Sequence, residues 1–213
     1  MRQSLAELLG TFGLVFCGTG AIVMNDVTGG TVTHAGIAIT FGLVVMAMIY
    51  SFGHISGAHI NPAVTIAFWL SKKFETKLVV PYLLAQLIGA ILASIVLSSL
   101  FEHENLGGTF PLGTELQSFV IEIILTFILM LVILQVSSGP KEEGILAGAA
   151  IGGVVLMEAM FAGPITGASM NPFRSLAPAL VSGQLNSIWV YLAGPTLGAA
   201  LAIPFHQFIQ PKS

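Results

Sequence analysis

Long apolar runs alternate with short polar connections along the whole chain, and the run lengths fall into two classes. Six runs lie at about residues 5–24, 33–53, 78–101, 116–136, 144–162 and 187–208. Each is near the ~20 residues that an α-helix needs to cross a hydrocarbon core of about 30 Å. Two further runs, beginning at Asn61 and Asn171, stay apolar for about ten residues, a helical rise of only about 15 Å. They are too short to span and long enough to dip in and return. Glu7 interrupts the start of the first run and no cleavage site follows Val23, so that run reads as a span rather than a signal peptide. The pattern predicts an all-α integral membrane protein with six transmembrane helices and two re-entrant half-helices.

Composition strengthens this picture. Of 213 residues, 55% are hydrophobic and only 8% charged, against roughly 25% charge in soluble domains, so a water-solvated globule is excluded. A formal net charge of −3 with no basic cluster leaves no footprint for nucleic acid. Cys17 is the sole cysteine, which excludes an intrachain disulfide and a cysteine-based metal site. Nothing calls for a cofactor or a metal. Six spans leave no length for a separate soluble domain, so residues 1–213 form a single domain. Arg2, Lys72, Lys73, Lys77, Lys141 and Lys212 all fall on one side of an even-numbered set of spans, while Asp26, Glu102, Glu104 and Glu115 fall on the other. By the positive-inside rule both termini are cytoplasmic. Arg174 alone breaks the pattern.

The chain also repeats itself, at about 1–105 and 115–213. The segment from Ala6 through Glu7 to Phe12 matches that from Ile121 through Glu122 to Phe127, an offset of 115. Ser56-Gly57-Ala58-His59-Ile60-Asn61-Pro62 matches Thr166-Gly167-Ala168-Ser169-Met170-Asn171-Pro172 at an offset of 110, and Tyr82…Gly89 matches Tyr191…Gly198 at 109. Three spans per half is an odd number, so the second half enters the membrane from the opposite face and the repeat is inverted. The two half-length runs then meet near mid-membrane. Each begins with Asn as cap and Pro at the first helical position, and each N-terminus carries unpaired N–H groups and about half a positive charge. Cations are repelled there, while the Asn amides offer donors to water or a hydroxyl. The Gly-rich approaches, residues 53–59 and 163–169, supply carbonyl acceptors along the same passage. Non-helical backbone at this depth is tolerated only inside protein or along a wet cavity.

These residues resemble the aquaporin family of major intrinsic proteins, through His54-Ile55-Ser56-Gly57…Asn61-Pro62-Ala63-Val64-Thr65, then Ala162-Gly163-Pro164…Gly167-Ala168-Ser169-Met170-Asn171-Pro172, then Arg174-Ser175. The stretch from Phe161 to Pro172 is most similar to the nodulin-26-like branch. The resemblance implies the aquaporin fold, one pore per subunit, and a homotetramer in the cell membrane surrounded by lipid. It implies a channel and not an enzyme. The pore Asn-Pro boxes are Asn61, Pro62, Ala63 and Asn171, Pro172, Phe173. The pore-lining backbone comes from Ala58, His59, Ile60, Gly167 and Ser169. Counting from the boxes, the family's selectivity filter maps to Phe41, Ala159, Ala168 and Arg174, which accounts for the lone outward arginine. Water-selective members typically carry His at the position of Ala159. The two alanines instead resemble wider filters that go with glycerol, urea or neutral metalloid hydroxides such as arsenous acid. Against this, glycerol facilitators usually carry Asp where this chain has Ser175. The resemblance implies a passive path for water and small uncharged solutes, with a water-selective channel as the alternative. A proton-coupled secondary transporter using intramembrane Glu is the alternative from another class.

Four features invite more than one reading. Phe173 stands where the family has Ala, and it either packs aside or narrows the centre. Glu158 adjoins Ala159, and it either acts near the filter or bonds the 163–169 backbone or a neighbouring helix. Glu7 and Glu122 read as acceptors that hold the re-entrant loops, with a proton relay as the rival. His59 is read as pore wall. His34, His103 and His206 are read as surface or interface residues, and Cys17 as core packing.

Overall fold

The computed structural model describes residues 1–138 and 145–209. Lys141, Lys212 and the first position of the fifth run lie outside the described residues. Among the described residues the elements are α1 (Arg2–Val27), α2 (Thr33–Ser56), α3 (Pro62–Leu70), α4 (Thr76–Leu100), α5 (Glu115–Ser138), α6 (Ala147–Thr166), α7 (Pro172–Ser182) and α8 (Ile188–Ile209). Six are long and apolar enough to cross a membrane, and α3 and α7, with 9 and 11 residues, are the two half-helices. In hydrocarbon every backbone polar group must be satisfied within the protein, which a helix does by itself. Apolar side chains can then face outward. On α4 the stripe Val80, Leu84, Ile88, Leu92 is exposed while Tyr82, Gln86, Gly89 and Ala93 are buried.

Small residues set the helix crossings. A Cβ on Gly89 of α4 would stand 2.2 Å from the carbonyl oxygen of Leu8 in α1, and one on Gly198 of α8 would stand 2.3 Å from that of Ile123 in α5. These are repeat-related crossings at backbone contact. The third crossing is reciprocal: a Cβ on Gly42 would meet Gly152 O at 2.7 Å, and one on Gly152 would meet Gly42 O at 2.6 Å. The order long, long, short, long thus occurs twice. The short helices lie in the middle, each packed on both α4 and α8.

Two side chains differ from their expected places. Cys17 is exposed on the outer face of α1 rather than in the core, because the buried face of that helix is Leu14, Val15 and Gly18. His206 is buried, drawn in beside Lys73, whose Nζ lies 3.4 Å from its Nε2 and also contacts Ser138 Oγ. Burial there pushes the Lys73 ammonium down from its ordinary value.

Candidate functional site

The site is built from two loops that end α2 and α6. Both helices stop at a glycine in the left-handed region, Gly57 at φ 83° and Gly167 at φ 81°, a conformation that costs glycine nothing. The chain then alternates: Ala58 and Ile60 at φ 46° and 43°, Ala168 and Met170 at φ 42° and 53°. Left-handed non-glycine residues persist only where their surroundings over-determine them, and here two buried carboxylates do so. Glu7 Oε1 accepts from Ser56 Oγ (2.7 Å) and His59 N (2.9 Å), and its Oε2 accepts from Ile60 N (2.7 Å) and Gln86 Nε2 (2.7 Å). Glu122 Oε1 accepts from Thr166 Oγ1 (2.8 Å) and Ser169 N (2.9 Å), and Oε2 from Met170 N (2.9 Å). Neither carboxylate lines the central cavity.

Each loop delivers an Asn-Pro cap. Asn61 Oδ1 accepts from Ala63 N at 2.9 Å, and Asn171 Oδ1 accepts from Phe173 N and Arg174 N at 3.1 and 3.2 Å. The amide nitrogens tie the halves together: Asn61 Nδ2 donates to Met170 O at 2.7 Å and Asn171 Nδ2 to Ile60 O at 2.9 Å. Each amide thereby uses one of its two N–H groups.

A cavity of about 710 Å³ runs past both asparagines. Phe41, Ala159, Ala168 and Arg174 are among its lining residues, as are Tyr50, His54, Ser137 and Ile145. The structure therefore gathers all four positions counted from the boxes. The guanidinium carbon of Arg174 sits 5.0 Å from the Phe41 ring centroid, within cation–π range, and Nη1 donates to Gly107 O at 3.0 Å. The Phe41 ring rests on Gly18 of α1, where a Cβ would stand 2.2 Å from it. Ala58, His59, Ile60 and Ser169 also line the cavity; Gly167 does not. The His59 ring stacks on Phe68 and packs against Phe74 and Tyr82, with Nδ1 3.1 Å from Thr65 Oγ1.

Phe173 turns away from the cavity and packs with Phe12, Phe16 and Ile91 against Val15, Ala90, Ala93 and Ala177. Truncating it should act on stability, not on the path. Phe173→Ala is expected to cost about 3 kcal/mol with single-channel water flux unchanged, checked by thermal melts in detergent beside vesicle shrinkage.

Glu158 bears out neither bond expected of it. Its carboxyl is buried, both oxygens lack a partner among the described residues, and it does not line the cavity. By the 110-residue offset its counterpart is Met48. Burying a polar group without hydrogen bonds is costly, so Glu158→Met is expected to raise stability by about 1–3 kcal/mol. An unchanged or lowered melting temperature would count against that account.

Sequence reasoning missed several participants. Gln86 donates to Glu7 and also to Thr65 Oγ1 at 2.9 Å, and a lone amide in an apolar span was the signal available for it. Ser175 joins a hydroxyl chain, accepting from Thr109 Oγ1 at 2.8 Å and lying 2.5 Å from Ser169 Oγ. Gly107 gave no signal.

Among the described residues no group of three His, Cys, Asp or Glu side chains is placed to hold a metal. Six spans enclose a passage that meets two half-helix N-termini at its middle, and this defines a membrane channel. The profile of the major intrinsic protein family matches residues 1–206. The chain is 51% identical over 201 residues to aquaporin NIP1-1 of Zea mays, covering 93% of this chain and 71% of the relative. It is 47% identical over 201 residues to nodulin-26 of Glycine max, covering 93% and 74%. Among solved structures it superposes on the aquaglyceroporin of Plasmodium falciparum with a TM-score of 0.89 and 28% identity, over 98% of this chain and 96% of that one. The chain belongs to the major intrinsic protein family and has the aquaporin fold. Members of this family are channels, not enzymes.

Proposed function

We propose that this chain is a passive channel for water and small uncharged solutes, glycerol among them and neutral metalloid hydroxides such as arsenous acid as candidates, and that it excludes ions and protons. The observation that carries the reading is the single cavity shared by both asparagines and by Phe41, Ala159, Ala168 and Arg174. In this reading the second N–H of Asn61 and of Asn171 donates to the permeant while carbonyls of the 57–60 and 168–170 stretches accept from it. The N-termini of α3 and α7, about half a charge each, together with Arg174 raise the barrier to cations. Two methyl side chains, Ala159 and Ala168, leave width for a polyol opposite Phe41. Selection is then by pore width, matched hydrogen bonds and field, as in other pores. The carboxylates of Glu7 and Glu122 serve as loop supports. Both termini are cytoplasmic, the membrane is the cell membrane, and the assembly is a homotetramer.

Glycerol uptake into proteoliposomes tests this reading against a coupled transporter. Uptake should rise in proportion to concentration without saturating and should ignore imposed proton and sodium gradients. Saturation, or acceleration by a gradient, would instead favour the transporter. Within the same assay, Arg174→Ala should admit protons at least about tenfold faster relative to water, and unchanged proton exclusion would remove Arg174 from the role given to it.

A further inference from the structure

Arg174 is held at one point by a loop carbonyl, and that loop is in turn held from the surface. Nη1 donates to Gly107 O, while Nε and Nη2 have no partner among the described residues. Gly107 lies at φ 71° with Thr19 O only 2.7 Å from where a Cβ would stand, and the preceding Leu106 lies at φ 51° and is buried. Two consecutive left-handed residues, one of them not glycine, form a turn that relaxes unless held. Three bonds hold it: Leu106 N donates to His103 Nδ1 (3.0 Å), Gly107 N to Asn105 Oδ1 (3.2 Å) and Gly108 N to Asn105 O (2.9 Å). His103 Nε2 lies 3.1 Å from Asp26 Oδ2 at the end of α1. An imidazole that accepts at Nδ1 carries its proton on Nε2, and Asp26 is the acceptor that fixes this tautomer.

We propose that His103 is a specificity-determining positioning residue: its Nδ1, kept as an acceptor by Asp26, holds the 103–107 turn so that the Gly107 carbonyl keeps the Arg174 guanidinium against the wall beside Phe41. The proposal rests on the reading of Arg174 as part of the selecting ring. Released from Gly107, the guanidinium moves off the wall into the cavity that Arg174 shares with Ala159 and Ala168, which obstructs a polyol more than water.

Two near-isosteres separate the two bonds. Asn places Oδ1 where Nδ1 sits and cannot reach Asp26, whereas Gln reaches towards Asp26 and lacks an acceptor at the Nδ1 position. Glycerol and water permeability are measured on the same vesicles for wild type, His103→Ala, His103→Gln, His103→Asn, Asp26→Ala and the Asp26→Ala/His103→Asn pair. The glycerol-to-water ratio should fall about fivefold in His103→Ala and His103→Gln and stay near wild type in His103→Asn. Asp26→Ala should lower it in the His103 background and leave it unchanged in the His103→Asn background. Retained water flux reports that each variant is folded, and a general loss of folded channel lowers both fluxes without moving the ratio. A wild-type ratio in His103→Ala and His103→Gln overturns the proposal, as does an equal fall in His103→Asn. If wild type conducts water and no glycerol, the wide-filter reading fails by itself. The variants are then read by proton leak relative to water flux, raised in Ala and Gln and unchanged in Asn, with no rise in Ala or Gln overturning the proposal.

Discussion

Ala159→His should abolish glycerol permeation, by at least about tenfold, while water continues to pass. The ring has little freedom to absorb an added imidazole. In the same ring, Phe41 is backed by Gly18 with no space for even a methyl group between them, and Arg174 is tied to Gly107 O. Packed interiors do not yield to such insertions without strain, so the new side chain projects into the cavity that Ala159 lines. Water, with one heavy atom, tolerates the narrowing, and the imidazole adds a hydrogen-bonding partner for it. Osmotic shrinkage in sucrose followed by glycerol re-swelling reads both effects in one preparation. Unaltered re-swelling would mean that the limiting ring lies elsewhere.

The second large effect is at Glu122. Glu122→Gln keeps size and removes one acceptor: an NH₂ then faces either Thr166 Oγ1 and Ser169 N or Met170 N, in place of the oxygens that accept from them now. The left-handed Ala168 and Met170 lose their restraint. Breaking a buried charged network costs about 3–5 kcal/mol, and the loop it releases carries both Asn171 and Ala168. Water permeability is expected to fall to near that of empty vesicles, with a lower melting temperature in detergent. Glu7→Gln should be milder, because Thr65, itself held by Gln86, still bonds His59 and the Asn61 carbonyl of the first loop. Equal, small effects at both positions would indicate that the loops hold themselves.

The repeat made most of this architecture legible. Run length alone separated spans from half-spans, and α3 and α7 begin at the prolines after Asn61 and Asn171. Glu7 and Glu122 stood out because an acid in an apolar run needs donors, and the donors are the repeat-related hydroxyls of Ser56 and Thr166 with the backbone N–H groups that follow them. Side-chain direction was harder to read. Phe173 packs aside because α7 turns that position towards α1 and α4, a rotation that no local pattern encodes. The outward face of Cys17 was not legible because in a membrane both faces of a helix are apolar, so the usual periodicity that marks a buried side is absent. Glu158 suggested a partner, and the fold gives it none among the described residues. Gly107 lies in a connection whose contact with Arg174 joins residues 67 positions apart, beyond the reach of spacing arguments.

The central claim is a passive path wide enough for a polyol, and stopped-flow light scattering on proteoliposomes tests it most directly. Vesicles shocked with sucrose and then with glycerol should shrink quickly in both and re-swell quickly in glycerol. Fast shrinkage with no re-swelling faster than in empty vesicles would contradict the wide ring around Ala159 and Ala168, and no gain over empty vesicles in either solute would contradict the channel itself.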